Sequence, residues 1–117
     1  MIKFRFQDLD VWKAAIEITD ELFSIDDQLE QKRLYRFADQ LRGAGMSISN
    51  NIAEGSGSNS SREFASFLNI ARRSVFENAN ILILLERKNL IEKMIFENLI
   101  GRLDLLSRQI TQLRKSL

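Results

Sequence analysis

The residues with the clearest chemical potential lie between positions 62 and 87. Projected as a helix at about 100° per residue, a row of Arg and Asn falls within about 40°. The row consists of Arg62, Asn69, Arg73, Asn80 and Arg87, and no acidic residue lies on it. Guanidinium groups pair bidentately with phosphate, and Asn can add hydrogen bonds to backbone or base. The row predicts a phosphate-binding face; the alternative is an ordinary solvated helix face, where exposed Arg and Asn are common.

Two other groups of basic residues lie outside this row. One surrounds the second predicted helix, and the other lies near the C-terminus, where it also suits the negative end of a helix dipole. Their members are Lys32, Arg33, Arg36 and Arg42, and Arg108, Arg114 and Lys115. The residues predicted to contact nucleic acid are Arg62, Arg73 and Arg87, with help from Arg72 and Arg36. Among the aromatic residues only Phe76 projects near the row, so sequence-specific base readout is not indicated.

The composition excludes most catalytic chemistry. The chain has no His and no Cys, so it lacks the usual proton shuttle, the thiol nucleophile and the nitrogen and sulfur ligands of zinc. Glu54 and Glu63 could do acid and base work across a turn, but capping or surface roles explain them better. The stretch 55–57, Gly-Ser-Gly, matches neither of the glycine motifs that bind phosphate. We therefore expect no enzymatic activity, no metal site and no cofactor.

Length, composition and charge set the broad class. A chain of 117 residues without proline, 44% hydrophobic and 28% charged, is typical of one helical domain spanning 1–117. The longest apolar run, at 81–85, is too short to cross a bilayer, and the N-terminus lacks a signal peptide's apolar segment. We expect a cytoplasmic protein without membrane contact. Residues 1–30 carry three basic and eight acidic groups, and residues 31–117 carry fourteen and eight, which can steer an anionic partner toward the later helices.

Apolar periodicity predicts four helices that would position these residues. A short extended or capping segment at 2–6 precedes a first helix, which is capped by Asp8 and ends near Ile25. The acidic stretch 26–31 is predicted to be a connection, and a second helix follows over about 33–54. Four helices of similar length with short links favour the all-α class and an antiparallel up-down-up-down four-helix bundle.

The ends of the later helices carry separate signals. Gly55 suits the C′ position after the second helix, and the Gly, Ser and Asn residues of 55–60 supply a turn. Ser60 and Glu63 form a capping box for a third helix that runs to about Arg87. After a link at 88–89, apolar residues at heptad-like spacing predict a fourth helix as far as Leu117.

Two features predict contact between copies of the chain. The apolar residues of the first helix form two stripes that cover roughly 180°, wider than the arc of about 100° that one core contact needs. One stripe is Trp12, Ile16 and Phe23, and the other is Val11, Ala15, Ile18, Leu22 and Ile25. The second helix contains Gly43 and Gly45, and glycine inside a helix costs roughly 1 kcal/mol relative to alanine, which indicates a close approach of backbones. We predict oligomerisation; the alternative is that Gly45 makes room for Trp12 or Phe67 inside one bundle.

The segment 41–55, LRGAGMSISNNIAEG, resembles the signature of the four-helix-bundle family that includes the 23S ribosomal RNA intervening-sequence proteins. The usual form of that signature is approximately LRRAAVSIPSNIAEG. Two further stretches fit the same family, FQDLDVW at 6–12 and FLNIARRS at 67–74. The sequence departs from the signature at Gly43, Gly45 and Ser49, where the family usually has Arg, an aliphatic residue and Pro.

The resemblance implies a homo-oligomer, with pentameric rings known in the family. It also implies kinship with the accessory proteins of diversity-generating retroelements, which use a basic surface to bind nucleic acid and a reverse transcriptase. Carried over by position, the motif residues are Ser47, Asn51, Glu54 and Gly55, and their implied role is structural. Gly43 in place of the usual Arg weakens the case for nucleic-acid binding by the second helix.

The leading hypothesis is a non-enzymatic, oligomeric bundle that binds nucleic acid, RNA in particular, through phosphate contacts. The rival is a structural or adaptor oligomer that binds a protein partner through the apolar faces of the first two helices. A formal net charge of +1 and a pI of about 8.1 favour the rival, because a typical nucleic-acid binder is more basic.

Overall fold

Four long helices share one core in the computed structural model, which describes all residues from 1 to 117. They are α1 (Asp10–Gln31), α2 (Tyr35–Ser56), α3 (Ser61–Arg87) and α4 (Lys93–Ser116), and a 3₁₀ turn at Arg5–Asp8 precedes them. A cluster of 22 buried apolar residues, to which every helix contributes, forms the core. The predicted all-α four-helix bundle is confirmed.

Consecutive helices run antiparallel, and hydrogen bonds between them show their register. Thr19 Oγ1 of α1 donates to the Gly45 carbonyl of α2 at 3.3 Å, and Asn78 Nδ2 of α3 donates to the Ala44 carbonyl of α2 at 2.8 Å. The backbone of α1 runs beside those of α2 and α4 and not beside that of α3. α1 and α3 therefore lie on a diagonal of the bundle, with their outer faces pointing in opposite directions.

α1 is longer than the sequence pattern predicted. The stretch 26–31 is not a connection, because Asp26 and Leu29 continue the buried stripe of Leu22 and the helix ends only at Gln31. The predicted start is also wrong. Leu9 occupies the N-cap position without a side-chain cap, and Asp8 belongs to the preceding 3₁₀ turn.

The other helix ends follow recognisable rules. Ser60 Oγ accepts a hydrogen bond from the Glu63 amide at 3.1 Å, so Ser60 is confirmed as the N-cap of α3. The second bond of the predicted capping box, from the Ser60 amide to the Glu63 side chain, is not formed. α1 and α3 are each followed, at the C′ position, by a left-handed residue that is not glycine: Arg33 (φ 63°) after α1 and Asn89 (φ 58°) after α3. In each case the amide of the next residue donates to a carbonyl five residues earlier at 2.9 Å. This Schellman arrangement satisfies the last carbonyls and turns the chain within a few residues.

Gly55 does not stop α2, so its predicted C′ role is wrong. The helix continues to Ser56, and no glycine in the chain has a positive φ. The requirement at Gly55 is for space, since a Cβ there would lie 2.6 Å from Phe67 Cβ and 2.9 Å from Phe64 Cδ1 of α3. Glycine therefore allows α2 and α3 to approach closely at this end of the bundle.

The two glycines in the middle of α2 have different surroundings. A Cβ at Gly45 would lie 3.0 Å from Leu22 Cδ1 of α1, whereas a Cβ at Gly43 would meet no atom within 4 Å. Gly45 thus makes room inside the bundle, for Leu22 rather than for the predicted Trp12 or Phe67. Its presence gives no support to contact between chains.

The N-terminal segment covers the end of the bundle where α2 turns into α3. The Phe6 ring lies 5.2 Å from the Trp12 ring, and the Arg5 guanidinium lies 5.2 Å from the Phe64 ring. Arg5 also donates to the Ser56 carbonyl at 3.3 Å. The segment therefore caps the bundle, as one of the two predictions stated, although its second half is a 3₁₀ turn rather than an extended strand.

Candidate nucleic-acid interface

The predicted Arg and Asn row lies on the face of α3 that points away from the core. Nine residues of α3 are buried on its other side. Arg62, Arg73, Asn80 and Arg87 are exposed, and Asn69 is half-buried. None of the three arginines forms an ion pair with a carboxylate of the chain. Their charges are therefore free to meet an anionic partner.

The three arginines are spread along most of the length of α3. With a rise of 1.5 Å per residue, Arg62 and Arg73 stand roughly 16 Å apart along the axis, and Arg73 and Arg87 roughly 21 Å apart. These distances are too long for two of them to hold one phosphate. The row instead suits separate phosphates of one extended polyanion.

Arg36 lies on the neighbouring helix, at the end of the bundle that carries Arg87. The hydroxyl groups of Ser47 and Ser74 are 2.8 Å apart and mark the antiparallel register of α2 and α3. Extending that register places Arg36, in the first turn of α2, level with the last turn of α3. Arg36 is exposed and forms no ion pair. It lies beside the row, and together with the row and Arg72 it forms what we call the basic surface.

Arg72 lies at the edge of the row and contacts an aromatic ring. Its guanidinium carbon is 5.0 Å from the centroid of Phe76, and its Nε is buried without a hydrogen-bond partner. Phe76 is 55% exposed. A guanidinium over an aromatic face is a favourable contact, so Arg72 holds Phe76 in place within the basic surface.

Three arginines of the other two basic groups make polar contacts within the chain. Arg42 Nη2 lies 2.8 Å from Glu30, and Arg108 lies 3.1 Å from Asp104. Arg114 Nε donates to a main-chain carbonyl of α3 at 3.1 Å. The arginines of the α3 row differ from these three because they make no such contacts.

Arg42 serves a buried carboxylate that the sequence pattern did not reveal. The Asp26 side chain is fully buried between α1 and α2, and neither of its oxygens accepts a hydrogen bond. Arg42 Nε lies 3.7 Å from Asp26 Oδ2, and Asp27, Glu30 and Asp39 surround the same guanidinium. Burial raises the pKa of Asp26 to about 7, and Arg42 only partly opposes this rise. The spacing of Asp26 from Leu22 was the available signal, since position i+4 shares a helix face.

Three of the four family-motif residues lie in the contact between α2 and α3. Ser47 hydrogen bonds to the Ser74 hydroxyl, and Asn51 Nδ2 donates to the Ser47 carbonyl at 2.7 Å and to its hydroxyl at 3.1 Å. Gly55 provides the close approach described above. Glu54, in contrast, is exposed and forms no ion pair.

The side of the molecule opposite the row is acidic. The exposed face of α1 carries five carboxylates and a single lysine, and Glu21 among them pairs with Arg102 of α4. The five are Asp10, Glu17, Asp20, Glu21 and Asp27, and the lysine is Lys13. Because α1 and α3 lie on a diagonal, this acidic face and the Arg row lie on opposite sides of the molecule.

The chain shows neither a group of metal ligands nor a membrane-spanning helix. No three His, Cys, Asp or Glu side chains are grouped as ligands of a metal ion would be. No helix combines the length and the apolar character needed to cross a membrane.

Comparison with known proteins agrees with this architecture. A similar solved structure is a protein of unknown function from the S23 ribosomal protein family of Bacteroides thetaiotaomicron, with a TM-score of 0.85 and 23% identity over 90% of this chain and 98% of that chain. Identity at this level supports the fold alone. No curated protein matches the sequence. The profile of the family described as 23S rRNA-intervening sequence protein matches residues 7–112, so it extends from the 3₁₀ turn into the last turns of α4, and the chain belongs to that family.

Proposed function

We propose that this protein is a non-enzymatic bundle that binds RNA through phosphate contacts on the outer face of α3. The observation that carries the proposal is the row of exposed arginines, Arg62, Arg73 and Arg87, which form no ion pairs. The family description refers to 23S rRNA, which makes RNA the first nucleic acid to test. Arg36 and Arg72 support the surface from its edges.

The arrangement favours recognition of the RNA backbone over recognition of sequence. Each arginine that neutralises a phosphate releases counterions, so the affinity should fall steeply as salt is raised. Contacts to phosphates position a protein on nucleic acid but carry no sequence information directly. A row on one straight helix also suits the wide, shallow groove of A-form RNA, which proteins recognise mainly by shape and backbone.

The triple variant Arg62→Ala, Arg73→Ala, Arg87→Ala is expected to bind RNA at least tenfold more weakly than the wild-type protein at low salt, because three phosphate contacts are lost. Fluorescence anisotropy with labelled structured RNA, single-stranded RNA and duplex DNA, at low and near-physiological salt, measures this change. The logarithm of the association constant should also depend less steeply on the logarithm of the salt concentration in the variant.

A second triple variant controls for charge alone. Lys13→Ala, Lys32→Ala, Lys115→Ala removes the same number of positive charges from exposed positions outside the row, and it should bind RNA within about threefold of the wild type, since distant exposed charges are screened. Equal losses in the two variants would show that net charge, and not the α3 face, determines binding. A wild-type protein that binds no RNA at low salt would refute the proposal.

A protein partner, including a second copy of the chain, is the second candidate. The observation that favours it is an uncovered apolar strip formed by Ile16 and Phe23 of α1 and by Met46 of α2. Ile16 and Phe23 are half-exposed and not packed on the core, and Met46 is 44% exposed. Assembly of several copies, as in a pentameric ring, would cover this strip and is compatible with RNA binding by α3.

If copies assemble through this strip, Ile16→Glu is expected to shift the protein toward the monomer, because a charge would be buried without a partner. Sedimentation velocity over a range of protein concentrations measures the change in mass. Ser24→Glu introduces the same charge at an exposed position of α1 and should leave assembly unchanged. An Ile16→Glu protein that sediments like the wild-type assembly would place the contact elsewhere.

A further inference from the structure

We propose that the groove between α3 and α4, next to the Arg row, accepts one unpaired nucleobase, which stacks on Phe76. This inference rests on the proposed RNA binding and specifies the kind of RNA, one in which a base is free to leave its stack. Its elements are the groove, the exposed ring within it and the arginines along its edge.

The groove is an apolar depression of about 190 Å³ on the surface of the bundle. Its α3 wall is formed by Phe76, Ala79 and Ile83, and its α4 wall includes Ile100 and Leu103. Ala79 lies between Phe76 and Ile83 on the same face of α3, and its small side chain makes the groove deeper at that point. The volume suits a single planar heterocycle and is too small for a helix of a protein partner.

Phe76 offers one aromatic face to the groove. Arg72 is one helical turn before Phe76, and its guanidinium covers the ring on that side. Side chains in a helix lean toward its N-terminus, so the ring rests against Arg72. Phe76 also lines the groove together with Ala79, so the face that Arg72 does not cover is the one left for a ligand. With 55% of Phe76 exposed, that face is available for a base, and base stacking on an aromatic side chain is favourable for every base.

The charge around the groove fits a nucleotide better than it fits an apolar ligand. Arg73 precedes Phe76 by three residues and shares its side of α3, and Arg87 lies one turn beyond Ile83. Both arginines are exposed and unpaired. A base in the groove would thus have arginines beside it for the phosphates that precede and follow it.

The polar groups that line the groove are already hydrogen-bonded or ion-paired, so they can hardly discriminate between bases. Ser107 already donates its hydroxyl to the Asp104 carbonyl at 2.7 Å, and the Asp104 carboxylate is paired with Arg108. Recognition by stacking without free hydrogen-bonding groups is tolerant of sequence. The bases of a duplex are already stacked on both sides, so only an unpaired base can enter.

Phe76→Leu is expected to weaken binding of a single-stranded RNA by about tenfold, which is the loss of one stacked base, and to change binding of a duplex RNA of the same length by less than twofold. Anisotropy titrations with the two labelled RNAs measure both affinities. Phe76→Trp should restore the affinity for the single strand. A 2-aminopurine in the single strand should lose fluorescence on binding the wild-type protein and the Trp variant, but less on binding the Leu variant.

Leu105→Ala is the matched control, because Leu105 is also 55% exposed but is not part of this groove. It should leave both RNA affinities unchanged. Single-strand binding that is insensitive to Phe76→Leu, while the arginine triple variant loses affinity, would overturn this inference and leave the proposed function intact. Equal losses for single strand and duplex would also overturn it. Absence of RNA binding by the wild-type protein would remove the proposed function and this inference together.

Discussion

Raising the pH from about 4 to about 7 is expected to lower the free energy of unfolding by about 3 kcal/mol through Asp26 alone. The pKa of Asp26 is raised from 3.8 to about 7 in the folded protein. Between these values the folded state binds a proton that the unfolded state has released, so stability falls as the pH rises. Above the folded pKa both states are ionised, and this contribution no longer changes.

The pKa of Asp26 is raised because its carboxylate is buried without adequate partners. Asp26 is fully buried and accepts no hydrogen bond, and the guanidinium that faces it, Arg42, is shared with Asp27, Glu30 and Asp39. A buried charge with an incomplete partner is costly to form. Protonated Asp26 avoids that cost.

Urea unfolding of the wild type and of Asp26→Asn at several pH values between 4 and 8 measures the effect. The Asn variant cannot ionise at this position, so the difference between the two stability curves isolates Asp26 from the exposed carboxylates. The variant should become the more stable of the two as the pH approaches 7. Parallel curves would mean that Asp26 titrates as an ordinary exposed carboxylate and that its surroundings open to water.

Gly55→Ala is expected to lower the free energy of unfolding by about 3 kcal/mol, the upper part of the usual range for overpacking. The new Cβ would lie 2.6 Å from Phe67 Cβ and 2.9 Å from Phe64 Cδ1. Neither atom is the free end of a flexible side chain, so α2 and α3 would have to separate. Urea unfolding at fixed pH measures the loss.

Gly43→Ala is the paired control on the same helix. A Cβ at Gly43 meets nothing within 4 Å, so the substitution should stabilise the protein by about 0.5–1 kcal/mol through helix propensity and a less flexible unfolded chain. A loss of stability in Gly55→Ala together with a gain in Gly43→Ala would show that close helix packing, and not helix propensity, determines the effect at Gly55. Stabilisation by both substitutions would show that α2 and α3 can move apart at no cost.

The helical bundle was predictable because its main determinants are local. Apolar spacing marked the residues that form the core, and Ser60 marked the start of α3 by a rule that needs only four residues of sequence. The end of α1 was not predictable in the same way. An acidic stretch of six residues is typical of a loop, but the helix continues through it because Leu29 is buried in the core that all four helices share, which depends on tertiary packing.

For Gly55 and for the candidate interface, too, the features set by local sequence were predictable and those set by packing between helices were not. Gly55 precedes a run of turn residues and so has the pattern of a helix stop, whereas its actual constraint comes from Phe64 and Phe67 on another helix. The exposure of Arg62, Arg73 and Arg87 followed from their position opposite the core stripe of α3. The groove beside Phe76 could not be predicted, because half of its wall belongs to α4 and depends on how that helix packs.

The diagonal placement of α1 and α3 makes a single molecule an electric dipole across the width of the bundle. A molecule whose α3 face rests on an RNA strand turns its acidic α1 face outward. A second strand that approaches from outside therefore meets a surface of its own sign and is repelled. If the protein binds RNA as proposed, one molecule is not expected to bridge two strands, whereas a uniformly basic protein can. RNA bound by separate molecules should then remain dispersed instead of being condensed.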